Sequence, residues 1–197
     1  MSLYVKFIFV ACCFLFALGS YKFRVLRCDW AWLVAGLGFT VGADFFLVLH
    51  NQHLQGVAVF CFAHVCYINR VKKAWFLFPI VLIFVAVSLV IGSVLTLAAI
   101  YAALFAYSLL VNFKRFRQSD DKVNLPKFNR ALILTGLVLF ALCDINVLLF
   151  NLPVYFDLPN GLRNVFLLIW IFYIPSQALL AVSACKFSRL WYTDFKG

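Results

Sequence analysis

The sequence contains no glutamate, and its seven acidic residues stand against seventeen lysines and arginines. Charged residues make up 12% of the chain, whereas ordinary globular domains carry ~25%. That is too few to cover a water-facing surface. There is no C-x-x-C pair, no H-E-x-x-H helix, no P-loop and no Ser-x-Gly elbow. The usual zinc, nucleotide and serine-nucleophile signatures therefore lack support. Cys12, Cys13, Cys28, Cys61, Cys66, Cys143 and Cys185 are odd in number, and most lie within apolar runs. This argues against a disulfide framework and predicts packing roles.

What the sequence has in abundance is apolar surface: 66% of residues are hydrophobic. They arrive in blocks of roughly 17–22, the length that crosses ~30 Å of hydrocarbon as a helix. The reading is an all-α polytopic transmembrane helix bundle, with residues 1–197 forming a single transmembrane domain. Such a chain is an integral membrane protein, of the plasma membrane in a bacterium or an endomembrane in a eukaryote.

Seven spans are predicted, at 3–19, 30–49, 54–69, 74–91, 93–113, 130–150 and 162–184. The first has an apolar core, but its exit, Gly19-Ser20-Tyr21-Lys22, lacks a small-x-small cleavage site, so it is read as a retained span rather than a signal peptide. The run from Ala74 to Phe113 is unbroken. As one helix it would extend ~60 Å, twice the hydrocarbon thickness, so it must fold back. Gly92-Ser93 is the natural turn.

Charge tests that division. With seven spans, fifteen of the seventeen basic residues collect on one side, and only Lys6 and Arg163 fall on or near the other. By the positive-inside rule the N-terminus is outside and the C-terminus cytoplasmic. The net charge of +10 is then an orientation signal that attracts anionic lipid headgroups at the cytoplasmic face. No nucleic-acid partner is expected, because only the 112–129 loop offers a soluble basic surface.

Against this apolar background two carboxylates stand out. Asp44 and Asp144 each lie alone inside a predicted span. A charge at the bilayer centre costs at least ~2.5–3.5 kcal/mol on insertion scales, which makes it a functional candidate by default. Both aspartates sit about six residues from the outer end of their spans, or roughly 9 Å deep, on helices that run the same way. Thr40 precedes Asp44 by one turn. Gly36-Leu37, Asp44 and Leu49 recur as Gly136-Leu137, Asp144 and Leu149, a weak internal repeat of the parallel kind.

On the third span Gly56, Phe60, His64 and Tyr67 share one helix face. Tyr101 on the fifth span reaches a similar depth. Tyr173 and Gln177 lie one turn apart on the seventh, with Pro175 between them predicting a kink. Gly38 and Gly42 form a small-residue pair that predicts a close-packing face. His64, Asp44 and Asp144 lack any spacing motif for a metal, so neither metal nor cofactor is expected. The seventh span holds no lysine, which excludes a retinal Schiff base. Asp29, Asp120, Asp121, Asp157 and Asp194 read as solvated loop residues.

These segments resemble the YhhN-like lysoplasmalogenase family. Gly42-Ala43-Asp44 followed by Gly56, Phe60, Ala63-His64 and Tyr67 is similar to the family's Gly-Asp, short loop and Gly-x3-Phe-x3-His-x2-Tyr pattern. Gly136, Phe140 and Asp144 are similar to its Gly-x3-Phe-x2-Ser-Asp segment, with Cys143 in place of the serine. Tyr173 to Gln177 looks like its Tyr-x3-Gln end. The family usually has eight spans, the second often opening with Lys-Pro. Lys6-Phe7 takes that place here, which matches an N-out chain of seven.

The resemblance implies hydrolysis of the vinyl ether bond of lysoplasmalogens to a fatty aldehyde and a glycerophospho-alcohol. The implied partner is a lysophospholipid held within the membrane. Vinyl ethers hydrolyse by protonation of the outer alkene carbon and capture of the oxocarbenium ion by water, which calls for one acid and one nearby base or anion. Asp44 and Asp144 are the expected catalytic pair, holding one proton between them at neutral pH. His64, Tyr67, Tyr101, Tyr173 and Gln177 are expected to bind or orient the substrate. Two rival readings use the same residues: a proton-coupled transporter or lipid carrier, and a non-catalytic membrane scaffold.

Overall fold

The computed structural model describes residues 3–118, 125–156 and 166–186. Expectations resting on Asp120, Asp121, Asp157, Arg163 and Asp194 lie outside the described residues. Those described form an all-α chain of seven helices: α1 (Leu3–Gly19), α2 (Arg27–Asp44), α3 (His53–Asn69), α4 (Leu77–Ile91), α5 (Val94–Arg117), α6 (Lys127–Phe156) and α7 (Phe166–Val182). A 3-10 turn, Ser20–Phe23, follows α1, and a π-helical turn, Phe45–Leu49, extends α2.

Four helical stretches are long and apolar enough to cross a membrane: Tyr4–Phe23, Arg27–Leu49, Val94–Arg117 and Lys127–Asn151. Leu77–Ile91 and Leu167–Val182 are shorter apolar helices. The chain is a multi-pass membrane protein. Helices satisfy their own backbone polar groups, which hydrocarbon demands.

α3 belongs to neither set, and its position explains why. It packs against α2, α4 and α5, and eleven of its seventeen residues are buried. Wrapped by protein rather than lipid, it tolerates histidine and asparagine. α4 is the opposite case: only Val81, Val85 and Ser88 are buried, while Leu82, Ile83, Phe84 and Val90 face outward.

The predicted turn at Gly92-Ser93 is present. Gly92 takes the left-handed conformation, φ 71°, which glycine adopts without a Cβ penalty, and its N–H closes on the Ser88 carbonyl at 3.0 Å. Ser93 then caps α5, its Oγ accepting the Thr96 N–H at 3.2 Å. All seven cysteines are free thiols.

The basic helix ends gather at one end of the bundle, where α1 and α7 terminate side by side. The Val25 N–H donates to the Ala184 carbonyl at 2.9 Å and the Lys186 N–H to Phe23 at 2.6 Å. Asp29 corrects an expectation here. It is not a solvated loop residue but lies in the first turn of α2, 3% exposed, paired with Arg70 at 2.9 Å. α3 ends beside the start of α2, so an ion pair 41 residues apart in sequence closes in space.

The small-residue pair also behaves differently from expectation. Gly38 faces Phe14 of α1 and Gly42 faces Val59 of α3, so the two do not share one contact. The close approaches are elsewhere. A Cβ on Gly36 would fall 2.7 Å from the Tyr67 ring, and one on Gly56 would fall 2.3 Å from Leu47 Cγ. Gly136, the repeat partner of Gly36, has Leu180 at 3.0 Å, so both glycines admit the helix that follows.

Candidate active site

Asp44 is the last residue of α2 and is 4% exposed. Its Oδ2 accepts a 2.6 Å hydrogen bond from the Tyr173 hydroxyl of α7. Asp144, in α6, is half-buried, and its Oδ2 accepts a 2.5 Å hydrogen bond from the Tyr101 hydroxyl of α5. Each acid is thus gripped by a tyrosine from a different helix. Where the carboxyl is ionised, such a bond is charge-assisted and roughly twice as strong as a neutral one.

The Tyr101 oxygen also meets His64 Nε2 at 3.3 Å. Its one proton goes to Asp144, so Nε2 must be the donor, and the neutral imidazole keeps Nδ1 as its acceptor. Nδ1 is buried without a partner among the described residues. The ring sits in a cage of Tyr67, Tyr101, Phe105 and Phe140, with centroids 4.3 to 5.8 Å away.

One turn of α6 lies between the two clusters. The Phe140 ring is 5.6 Å from both His64 and Tyr173. Cys143, one residue before Asp144 on the same turn of α6, is buried. The Asp144–Tyr101–His64 chain and the Asp44–Tyr173 pair therefore flank the Phe140/Cys143 surface.

Immediately after Asp44 the helix widens into the π turn, Phe45–Leu49; beyond it Asn51 has φ 55°, and the Gln52 N–H donates to the Phe46 carbonyl at 2.8 Å. π turns inside helices are frequent at functional sites. Leu47 of this turn seats against Gly56, so the glycine on α3 makes room for the widened backbone beside Asp44.

Of the expected site residues, Asp144, Tyr101 and His64 are joined by hydrogen bonds, Asp44 and Tyr173 form a separate pair, and the Phe140 ring stands between His64 and Tyr173. Tyr67 does not reach a carboxylate; its hydroxyl pairs with Thr40 at 3.3 Å. Gln177 is fully buried; its Nε2 donates to Ser176 Oγ at 3.2 Å and its Oε1 has no partner among the described residues. α7 continues through Pro175. Sequence reasoning missed Lys6 and Trp170, stacked with Nζ 3.6 Å from the indole ring. Trp170 also packs on Tyr173 at 5.8 Å, a contact the i, i+3 spacing signals. Among the described residues, no three His, Cys or Asp side chains are placed to hold a metal.

In comparison with known proteins, the profile of the YhhN family matches residues 1–184. No curated protein and no solved structure matches the chain.

Proposed function

The chain belongs to the YhhN family, and from that premise we propose that it is a lysoplasmalogenase-like ether hydrolase of the membrane, cleaving the vinyl ether bond of a lysophospholipid. The observation that carries this reading is the pair of tyrosine-clamped carboxylates on either side of the Phe140/Cys143 turn. Each tyrosine engages Oδ2 and leaves Oδ1 for proton exchange.

In the proposed cycle, one carboxyl gives its proton to the outer alkene carbon, and the ether oxygen becomes part of an oxocarbenium ion held by the other, ionised carboxylate. Water adds to the oxocarbenium carbon and loses a proton to that carboxylate, forming a hemiacetal. The hemiacetal then collapses, its hydroxyl proton passing through the carboxyl pair to the departing glycerol oxygen. Products are the fatty aldehyde and the glycerophospho-alcohol, and both acids return to their starting states. Such acid–base assistance is typically worth ~10²–10⁴-fold.

His64 Nδ1 and Gln177 Oε1, buried acceptors with no partner among the described residues, are suited to the attacking water and a glycerol hydroxyl. Phe60, Phe105 and Phe140 supply apolar wall for the alkenyl chain. The scheme uses no cofactor. We place the N-terminus outside and the C-terminus in the cytoplasm, from the gathering of basic residues at one end.

The Asp144–Tyr101–His64 hydrogen-bond chain also favours a second reading, a proton-coupled carrier. One experiment separates them. Purified protein in detergent, which has no two compartments, is incubated with lysoplasmalogen or its ester analogue and free aldehyde is measured. Release from the vinyl ether alone, lost in Asp44→Asn and Asp144→Asn variants that remain folded, supports the hydrolase. Full activity in both variants overturns the mechanism, and no aldehyde from the wild type overturns the hydrolase.

A further inference from the structure

Lys6 lies inside the first apolar helix and is buried, 3% exposed. Its Nζ sits 3.6 Å from the centre of the Trp170 ring on α7, and α1 packs along α7. Indole is the aromatic face that attracts a cation most strongly. Trp170 in turn meets Tyr173, one turn further along α7, edge-on at 5.8 Å and 77°. Tyr173 carries the hydroxyl that donates to Asp44 Oδ2. One chain of contacts therefore runs from α1 through α7 to the acid at the end of α2.

Tyr173 depends on such support more than Tyr101 does. The Tyr101 hydroxyl has two hydrogen-bond partners, His64 and Asp144, and these fix its direction. Among the described residues the Tyr173 hydroxyl bonds to Asp44 alone, so what packs on its ring sets where the O–H points. Phe140 meets that ring edge-on at 5.6 Å, and Trp170 supplies the second edge-on aromatic contact. Trp170 Nε1 is buried with no acceptor among the described residues. The indole is thus placed by the groups that touch its ring, Lys6 among them.

The parallel repeat puts Lys6 on the same side of α1 by an independent route. Val10, Cys13 and Ala17 of α1 and Phe105, Ser108 and Asn112 of α5 are buried at matching spacing. α1 packs against α2 and α7, and α5 packs against α6 and α3. In this register Lys6 corresponds to Tyr101, each lying one turn before its buried stripe. Tyr101 serves Asp144 directly, whereas Lys6 reaches Asp44 through two aromatic rings.

We propose that Trp170, backed by Lys6, is a positioning residue for the Asp44 half of the site, holding the Tyr173 ring so that its hydroxyl meets Asp44 Oδ2. Its effect on turnover rests on the hydrolase reading; the positioning itself does not.

The test uses the full chain in detergent. Infrared difference spectra of wild type against Asp44→Asn isolate the Asp44 carboxyl band, whose frequency reports the hydrogen bond it accepts. Tyr173→Phe calibrates the shift for loss of that bond. Trp170→Leu should move the band the same way by at least half as much, and Trp170→Phe should move it less. Lys6→Met leaves every ring in place and keeps the test decisive if Trp170→Leu does not fold; it should move the band more than Lys6→Arg, which retains a cation. In the aldehyde assay Trp170→Leu should lower kcat about tenfold and leave KM within about twofold. It should add no further loss in a Tyr173→Phe background, because residues that act through one another are not additive. A band unmoved by both Trp170→Leu and Lys6→Met overturns the proposal. Additive losses of kcat overturn it equally. Absence of aldehyde from the wild type overturns the hydrolase reading, and the infrared band alone then decides the positioning role.

Discussion

The Tyr173 hydroxyl lies 2.6 Å from Asp44 Oδ2, a bond that joins α7 to α2 across 129 residues of sequence. Asp144 is held in the same manner, but by a tyrosine from α5. Two acids that look equivalent in the sequence therefore sit in distinct surroundings. Asp44 has a single tyrosine and is buried, while Asp144 is half-buried and connected onward to His64.

The tyrosines give the first prediction. Hydrogen bonds to charged groups contribute about 1.5–3 kcal/mol, and each 1.36 kcal/mol is tenfold in rate. Tyr173→Phe and Tyr101→Phe should each lower kcat for aldehyde release by ~10–100-fold. Tyr101→Phe should show the larger loss, because it also unties His64. Circular dichroism should show both variants folded, and unchanged kcat in both would remove the tyrosines from the mechanism.

His64→Phe separates packing from chemistry. A phenyl ring can occupy the aromatic cage around His64, whose nearest member, Phe105, is 4.3 Å away. The substitution loses both ring nitrogens. Thermal stability should hold, while aldehyde release falls at least ~10-fold, the low end of acid–base and orientation effects. A variant with wild-type turnover would reduce His64 to a packing residue.

Gly56 tests the π turn. A methyl placed there meets Leu47 at 2.3 Å, and overpacking of this kind costs about 1–3 kcal/mol. Gly56→Ala should lower the unfolding temperature in detergent, and adding Leu47→Ala should restore much of it. If the double variant is no more stable than Gly56→Ala alone, the clash is not what destabilises the single variant.

Asp29 discriminates between a solvated loop residue and a buried counterion. Surface substitutions usually change stability by less than about 0.5 kcal/mol, whereas removing one member of a buried ion pair costs about 3–5 kcal/mol. Asp29→Asn should show the larger effect in chemical unfolding. Combined with Arg70→Gln it should be milder than alone, because no unpaired guanidinium is then left behind.

Hydrocarbon thickness and the cost of burying charge act on local sequence, so their consequences were legible. The apolar blocks marked the helices, and the fold-back at Gly92 followed from a run too long to cross once. The basic residues marked helix ends that do meet, and Asp44 and Asp144 declared themselves as isolated charges in apolar runs. Partnership was a different matter. Nothing in the spacing told which tyrosine would serve which aspartate, or that the Tyr67 hydroxyl would turn to Thr40. Asp29 looked like a loop residue because its counterion is 41 positions away. The π turn beside Asp44 exists where Gly56 on the next helix leaves space for Leu47. The sequence by itself determined which segments form apolar helices and which polar groups lie within them, since both depend on transfer energies of nearby residues. Only the packing of helices against one another decided how those polar groups are satisfied, because a hydrogen bond requires two groups within about 3 Å, and that proximity arises between segments far apart in the chain.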